Sequence, residues 1–230
     1  MSQSAHWNAD ACRWEVNNRF GYTLYMDVPY LPSVVDIGLL GTQWLPNKLP
    51  WPFNEITVMA DMLNMLKRPL YLIDVRRDGT GPQNSWSPRE FATIIPAMVY
   101  KPMVFMHLPE AAPSIELLEK DRKAREAGKV LHWQKFKHQY NAALTIYTVD
   151  LIQAYVEAAA VAGGMIILLC AEPYCPDFDV QPQERQDELY CHRFTLAQRT
   201  VRAIKADRGD AVNVRLLNLE LSDFAMCGRA

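Results

Sequence analysis

Five short runs of apolar, β-prone residues recur along this 230-residue chain, at 33–40, 70–75, 103–108, 165–170 and 213–219. Between them lie segments with helical spacing of the apolar positions. Strands that are apolar throughout belong in a sheet covered on both faces, whereas a strand with one wet face alternates. Strands alternating with helices build such a sheet from parallel strands. The expectation is an α/β fold: a single Rossmann-like domain over 33–230, its mostly parallel sheet flanked by helices. An N-terminal β-hairpin-like extension over 1–32 precedes it.

Local signals mark the elements. In the extension, CRWEV and YTLYMDV flank Asn17-Asn18-Arg19-Phe20-Gly21, a loose hairpin. Its aromatics, Trp7, Trp14, Phe20, Tyr22, Tyr25 and Tyr30, pack onto the domain or onto a second copy, which leaves a homo-oligomer open. Asn54 is a candidate N-cap for a helix over 55–67 that Pro69 stops, and Ser87-Pro88 opens a second. Residues 114–128 and 132–162 are helical by pattern, the latter closing at Gly163-Gly164. A last helix over 192–208 closes at Gly209.

Half of the residues are apolar and the formal charge is −2. Bulk charge therefore gives no drive toward nucleic acid or acidic membrane, although a local basic patch stays open. No apolar run is long enough to span a bilayer, so no membrane partner is expected. The start, MSQSAHWNAD, lacks the basic and apolar regions of a signal peptide. The five cysteines, Cys12, Cys170, Cys175, Cys191 and Cys227, are odd in number, in a chain too large to need disulfide staples. These features suit reduced thiols in the cytoplasm.

In open α/β sheets the working groups lie beyond the carboxyl ends of the strands. Four strand ends here deliver polar groups: Gly41-Thr42, then Asp74, Arg76 and Arg77, then His107 and Glu110, then Cys170 and Glu172. Cys191-His192-Arg193 opens the last helix, where unpaired N–H groups and the helix dipole favour a bound anion or a thiolate. The neighbouring imidazole and guanidinium would lower the thiol pKa further. Cys191 or Cys170 is thus a candidate nucleophile, with His192 or Glu172 moving protons. Arg76 is placed to clamp a phosphate or carboxylate while Asp74 fixes its geometry or accepts a proton. A structural Asp–Arg pair closing the loop explains the same residues equally well. His107 and Glu110 are a candidate acid–base pair, the plainer alternative being a hydrogen-bonded histidine at a strand end.

Two other chemistries compete. Cys170, Cys175, Cys191 and His192 are an alternative ligand set for zinc or iron, although CysAlaGluProTyrCys is longer than a two-residue ligand clip. The segment KVLHWQKFKHQY, residues 129–140, interleaves lysines with Trp133, Phe136 and Tyr140, as surfaces that stack bases do. A solvated amphipathic helix accounts for that pattern more simply.

The motifs Leu72-Ile73-Asp74-Val75-Arg76, His107-Leu108-Pro109-Glu110, Leu168-Leu169-Cys170-Ala171-Glu172 and Cys191-His192-Arg193 stand in an order that resembles a known family. It is the prokaryotic family catalogued as domain of unknown function 488, and the likeness covers residues 33–219. The resemblance implies a compact α/β domain whose motif residues converge on one site, and it implies no settled activity. The matching positions are Asp74, Arg76, His107, Glu110, Cys170, Glu172, Cys191, His192 and Arg193. Where that family has a Gly-His-Ser type turn this chain has Leu40-Gly41-Thr42. Ala111-Ala112-Pro113 replaces a usual pair of glycines, and the loop between the cysteine motifs is long and holds Cys175.

The residues together lead to the expectation of an intracellular enzyme acting on a small anionic substrate. A nucleotide, nucleoside or modified base is the best candidate, processed by hydrolysis or group transfer. The alternatives are a nucleic-acid-associated binding module and a metal- or redox-sensing protein.

Overall fold

The computed structural model describes residues 4–8, 10–11, 13–17, 22–28, 31–41, 55–77, 87–127, 133–170, 192–209 and 212–219. Three antiparallel strands come first: β1 (Ser4–Asn8), β2 (Arg13–Asn17) and β3 (Thr23–Asp27), in that order across their sheet. The expected hairpin is the β2–β3 pair. The further strand, β1, has too few apolar positions to show a period. Pairing fixes it instead, with Trp7 opposite Trp14 and the rings 5.5 Å apart.

Five parallel strands follow: β4 (Val34–Gly41), β5 (Leu70–Asp74), β6 (Met103–His107), β7 (Met165–Cys170) and β8 (Asn213–Leu219). Their order across the sheet is β6-β5-β7-β4-β8. All six residues of the central β7 are buried, which is why its sequence does not alternate. Helices α1 (Glu55–Met65) and α2 (Pro88–Met98) cover one face, where Met62, Leu63, Phe91 and Ile95 pack on Leu70, Leu72, Ile167 and Leu169. The other face lies under α3 (Ile115–Glu126), α4 (Trp133–Ala143), α5 (Ile146–Val161) and α6 (His192–Arg208). There Leu151, Ile152, Leu196 and Ile204 meet Ile37, Leu39, Ile73, Ile166 and Leu168. The chain is therefore an α/β protein with a parallel sheet between helices and a separate N-terminal antiparallel sheet.

The start of α2 is fixed by a capping box: the Ser87 side chain accepts from Glu90 N–H, and the Glu90 carboxylate accepts from Ser87 N–H. Asn54, the expected cap of α1, lies outside the described residues. Helix α5 ends as its glycines predict. Gly163 takes φ +70°, and Gly163 and Gly164 N–H donate to Ala160 and Ala159 carbonyls, the paired bonds of a Schellman motif. A Cβ on Gly164 would stand 2.8 Å from the Tyr71 ring.

The helix expected over 132–162 is instead two, α4 and α5, meeting at 85°. The apolar spacing continues across the break, so periodicity does not reveal it. Capping makes it. The Thr145 hydroxyl accepts from Thr148 N–H and so begins a new helix, while Arg199 Nη1 donates to the carbonyls of Asn141 and Leu144. Among the described residues no single helix is long and apolar enough to cross a membrane.

The N-terminal sheet is tied to this body through a buried carboxylate. Glu157 of α5 accepts from Trp14 Nε1 at 2.8 Å, Gln153 Nε2 at 2.9 Å and Arg208 Nη2 at 2.6 Å. The Arg208 guanidinium also lies 4.0 Å from the Trp7 ring centre, a cation–π contact. Trp7 and Trp14 thus pack onto the protein's own helices.

Asp36 of β4 is a second buried carboxylate, held by Arg215 Nε at 2.7 Å and Arg68 Nη1 at 2.7 Å. The Arg215 hydrogen bond, helped by Arg68, keeps the Asp36 carboxyl below its usual range against the opposing effect of burial. Its stabilising contribution is therefore fully present above the unfolded-state value near 3.9 and fades as pH falls through the lower folded-state value. In urea titrations Asp36→Asn is expected to lower the midpoint at neutral pH. It is also expected to lose less stability than the parent as pH drops below about 4.

Candidate functional site

The carboxyl ends of four neighbouring strands are level. Asp74 of β5 pairs in register with His107 of β6 and Leu169 of β7, and Gly41 of β4 pairs with Cys170 of β7. Asp74, His107 and Cys170 therefore stand in one row along one edge of the sheet.

Asp74 is fully buried and Arg76 is 5% exposed. The Asp74 carboxylate accepts from the Arg76 backbone N–H at 3.0 Å, from Nε at 2.9 Å and from Nη2 at 2.5 Å. Such a two-pronged pair fixes the guanidinium plane, which stands 5.8 Å from the Phe91 ring of α2. Arg77 is half-buried, and its Nε and Nη2 donate to the Pro113 carbonyl beyond β6. The two arginines turn apart. Arg76 folds back on its own strand, and Arg77 straps the loop after β6.

Two imidazoles hold the main chain of this corner. His107 Nε2 lies 2.7 Å from the Arg76 carbonyl oxygen, and His192 Nε2 lies 3.3 Å from the Val75 carbonyl oxygen. A carbonyl only accepts, so both rings carry a proton on Nε2 and, when neutral, leave Nδ1 as an acceptor. Two consecutive carbonyls of the Asp-Val-Arg motif thus each receive a histidine, one from β6 and one from the first residue of α6.

Cys170 lies against His192, its Sγ 3.4 Å from Nδ1 and 3.6 Å from Nε2. A sulfur on the line of the Nδ1 lone pair would stand about 5.5 Å from Nε2. The near-equal distances therefore place the thiol over the ring face, a sulfur–aromatic contact. Proton exchange between them requires the sulfur to move toward the ring plane. Shared metal ligation needs the same in-plane lone pair. Cys170 is buried.

Strand pleat separates the two halves of the site. Leu169, level with Asp74, belongs to the core under α1 and α2, whereas Cys170 and Val75 belong to the core under α5 and α6. The Asp74–Arg76 pair and the Cys170–His192 pair therefore sit on opposite faces at the sheet edge, joined by the 74–77 main chain. Spacing alone does not show this division. Parity along the strand does, because Asp74 pairs with Leu169 and not with Cys170.

Arg193 follows His192 in the first turn of α6 and is fully buried. Glu110 sits in a short 3-10 turn, Pro109–Ala111, and is exposed, so it points away from the buried part of this cluster. Thr42, Glu172, Cys175 and Cys191 lie outside the described residues, as does the loop over 172–188. Of the alternative metal ligands, Cys170 and His192 are adjacent. Among the described residues no group of three or more His, Cys, Asp or Glu could hold a metal ion.

Tyr140 joins the site without having been read as part of it. Its ring meets His192 edge-on at 5.7 Å, and its hydroxyl donates to the Ala111 carbonyl at 2.6 Å. The signal was there: Phe136 and Tyr140 are four residues apart, which puts both on one helical face. Both are buried, at 3% and 1% exposure. These two aromatics of the basic segment are core residues and present no ring for a base to stack on, while Lys135 and His138 face outward. Helix α4 is amphipathic, as the simpler reading had it. Residues 129–132 lie outside the described residues.

Comparison of the chain with models of protein families, with curated proteins and with solved structures found no match.

Proposed function

We propose that the carboxyl edge of the parallel sheet is the active site of an enzyme for a small anionic substrate. The best substrate class is a nucleotide, nucleoside or modified base, and the reaction is hydrolysis or group transfer. The observation that carries this reading is the linked cluster in which His107 and His192 hold successive carbonyls of the Asp74–Arg76 corner. A merely structural sheet edge does not need two imidazoles, a thiol and a buried guanidinium gathered around one stretch of main chain. In open α/β sheets that edge is also where ligands bind.

The roles follow from the chemistry. Arg193 and the N-terminal end of α6 supply positive potential for the anion. Arg76, its plane fixed by Asp74, adds a directional donor face, and Arg77 and His107 shape the loop beside it. His192 moves the proton, its Nε2–H oriented by the Val75 carbonyl. Cys170 or Cys191 is the attacking or stabilising thiol, with Glu172 as a second proton carrier and Glu110 at the rim. A reducing, cytoplasmic compartment belongs to the same reading. Membership of the family that the four motifs resemble belongs to it as well.

The test is turnover. Full-length protein is incubated with a panel of nucleoside phosphates, free nucleosides and methylated bases, and products are separated by chromatography. The reading expects product from at least one class and loss of that product in His192→Ala. Absence of product across the panel, or equal turnover by the variant, contradicts it.

A further inference from the structure

A second polar cleft lies in the groove between α5 and α6, with a volume of about 590 Å³. That is within the usual range for a small-molecule site. Its walls carry charge of both signs. Arg199 and Arg202 stand toward the start of α5, and Asp150 and Asp207 stand farther along the groove. Arg199 lies on α6 about 10 Å past His192, and Asp207 about 22 Å past it, so the cleft is separate from the strand edge.

The acidic end contains an incomplete hydrogen-bond set. Gln153 is 1% exposed and lines the cleft. Its Nε2 donates to Glu157 Oε1 and Asp207 Oδ2, both at 2.9 Å, which fixes the amide orientation. Gln153 Oε1 is then a buried acceptor with no donor among the described residues, and so is Asn141 Oδ1 at the other end of the groove. An unmet buried acceptor is costly, and a ligand donor relieves it. Burial, and then the charge of Asp207, raises the Asp150 carboxyl above its ordinary value, with His6 opposing. A cation at this end would relieve that strain too.

At the opposite end the groove reaches the N-terminus of α5, at Ile146, whose dipole adds to the two guanidinium groups. The floor between the ends is apolar, formed by Val149, Ala203 and Ala206. From Ile146 to Gln153 the groove runs about 10 Å along α5. We infer that this cleft binds a small zwitterion, with its ammonium at Asp150, Gln153 and Asp207 and its carboxylate at Arg199 and Arg202. The spacing of the two ends suits an ω-amino carboxylate or a short peptide. In a free α-amino acid the two charges are too close to reach both ends.

Titration calorimetry on the full-length protein tests this with four probes: 6-aminohexanoate, triglycine, hexylamine and hexanoate. The zwitterions are expected to bind saturably, with each single-ended probe at least about tenfold weaker. Arg202→Gln on the rim and Asp207→Asn should each weaken 6-aminohexanoate about tenfold or more. Should Asp207→Asn unfold, Asp150→Asn carries the same test, because it leaves the Gln153–Asp207 bond in place. No binding of either zwitterion up to about 20 mM overturns the inference. So does hexylamine or hexanoate binding as tightly as 6-aminohexanoate, or unchanged affinity in Arg202→Gln and Asp150→Asn. None of these outcomes depends on turnover at the strand edge.

Discussion

Asp74→Ala is expected to destabilise the fold by about 3–5 kcal/mol, the cost of leaving one partner of a buried ion pair alone. Asp74 has no exposed surface, and it accepts from the Arg76 main chain as well as from the guanidinium. Without it, a guanidinium that is 5% exposed keeps its charge and loses the carboxylate that offsets it. In urea the midpoint should fall by about 1–2 M with little change of slope. The double variant Asp74→Leu/Arg76→Met should recover most of the loss, because two apolar side chains of similar volume leave no buried charge. Met at this position also keeps a contact with the Phe91 ring. The comparison separates the two readings of Asp74-Val75-Arg76. A pair that only closes the loop gives a double variant that is stable and fully functional. A pair that holds a substrate gives one that is stable and inactive.

His192→Ala is expected to lower turnover about 10²–10⁴-fold on whichever substrate the panel yields, the usual contribution of a positioned acid or base. The ring touches three parts of the site at once: the Val75 carbonyl, the Cys170 sulfur and the edge of Tyr140. Its loss removes the proton carrier and also frees the thiol from its resting contact. His192→Gln retains a donor for the Val75 carbonyl without a titrating group. A variant rate that falls in Ala and Gln alike assigns the effect to proton transfer, while recovery in Gln assigns it to holding the 74–77 chain. The variants' pH profiles decide the same point independently, because only loss of the proton carrier removes a titrating limb.

How much of this was legible in the chain depends on which force set each feature. Burial on both faces writes itself into composition, so the five parallel strands and α1, α3 and α6 stood out from unbroken apolar runs and helical spacing. Capping is written in single residues, and Ser87-Pro88 and Gly163-Gly164 were readable for that reason. The break between α4 and α5 was not, because Arg199, some 55 residues away in sequence, supplies the donor that ends α4. Strand β1 was missed because its partner, rather than its own pattern, holds it in place. At the site, strand ends and residue types located Asp74, His107, Cys170 and His192. Carbonyl acceptors have no sequence signature, so the role of the 74–77 main chain as the hub between two imidazoles was invisible. The division of the carboxylate and the thiol between two faces was encoded by strand parity alone, a one-residue effect that needs the register to be read.

The central claim is that this edge binds a small anion through groups arranged around His107 and His192. Imidazole nitrogen–proton NMR of the full-length protein, titrated with inorganic phosphate and then with a nucleoside monophosphate, tests it most directly. Both rings should begin with the proton on Nε2, as their carbonyl partners require. Their resonances should move together along one saturation curve, while the outward-facing His6 and His138 stay in place. Movement confined to His6 and His138, or none at His107 and His192 at saturating probe, would contradict the account.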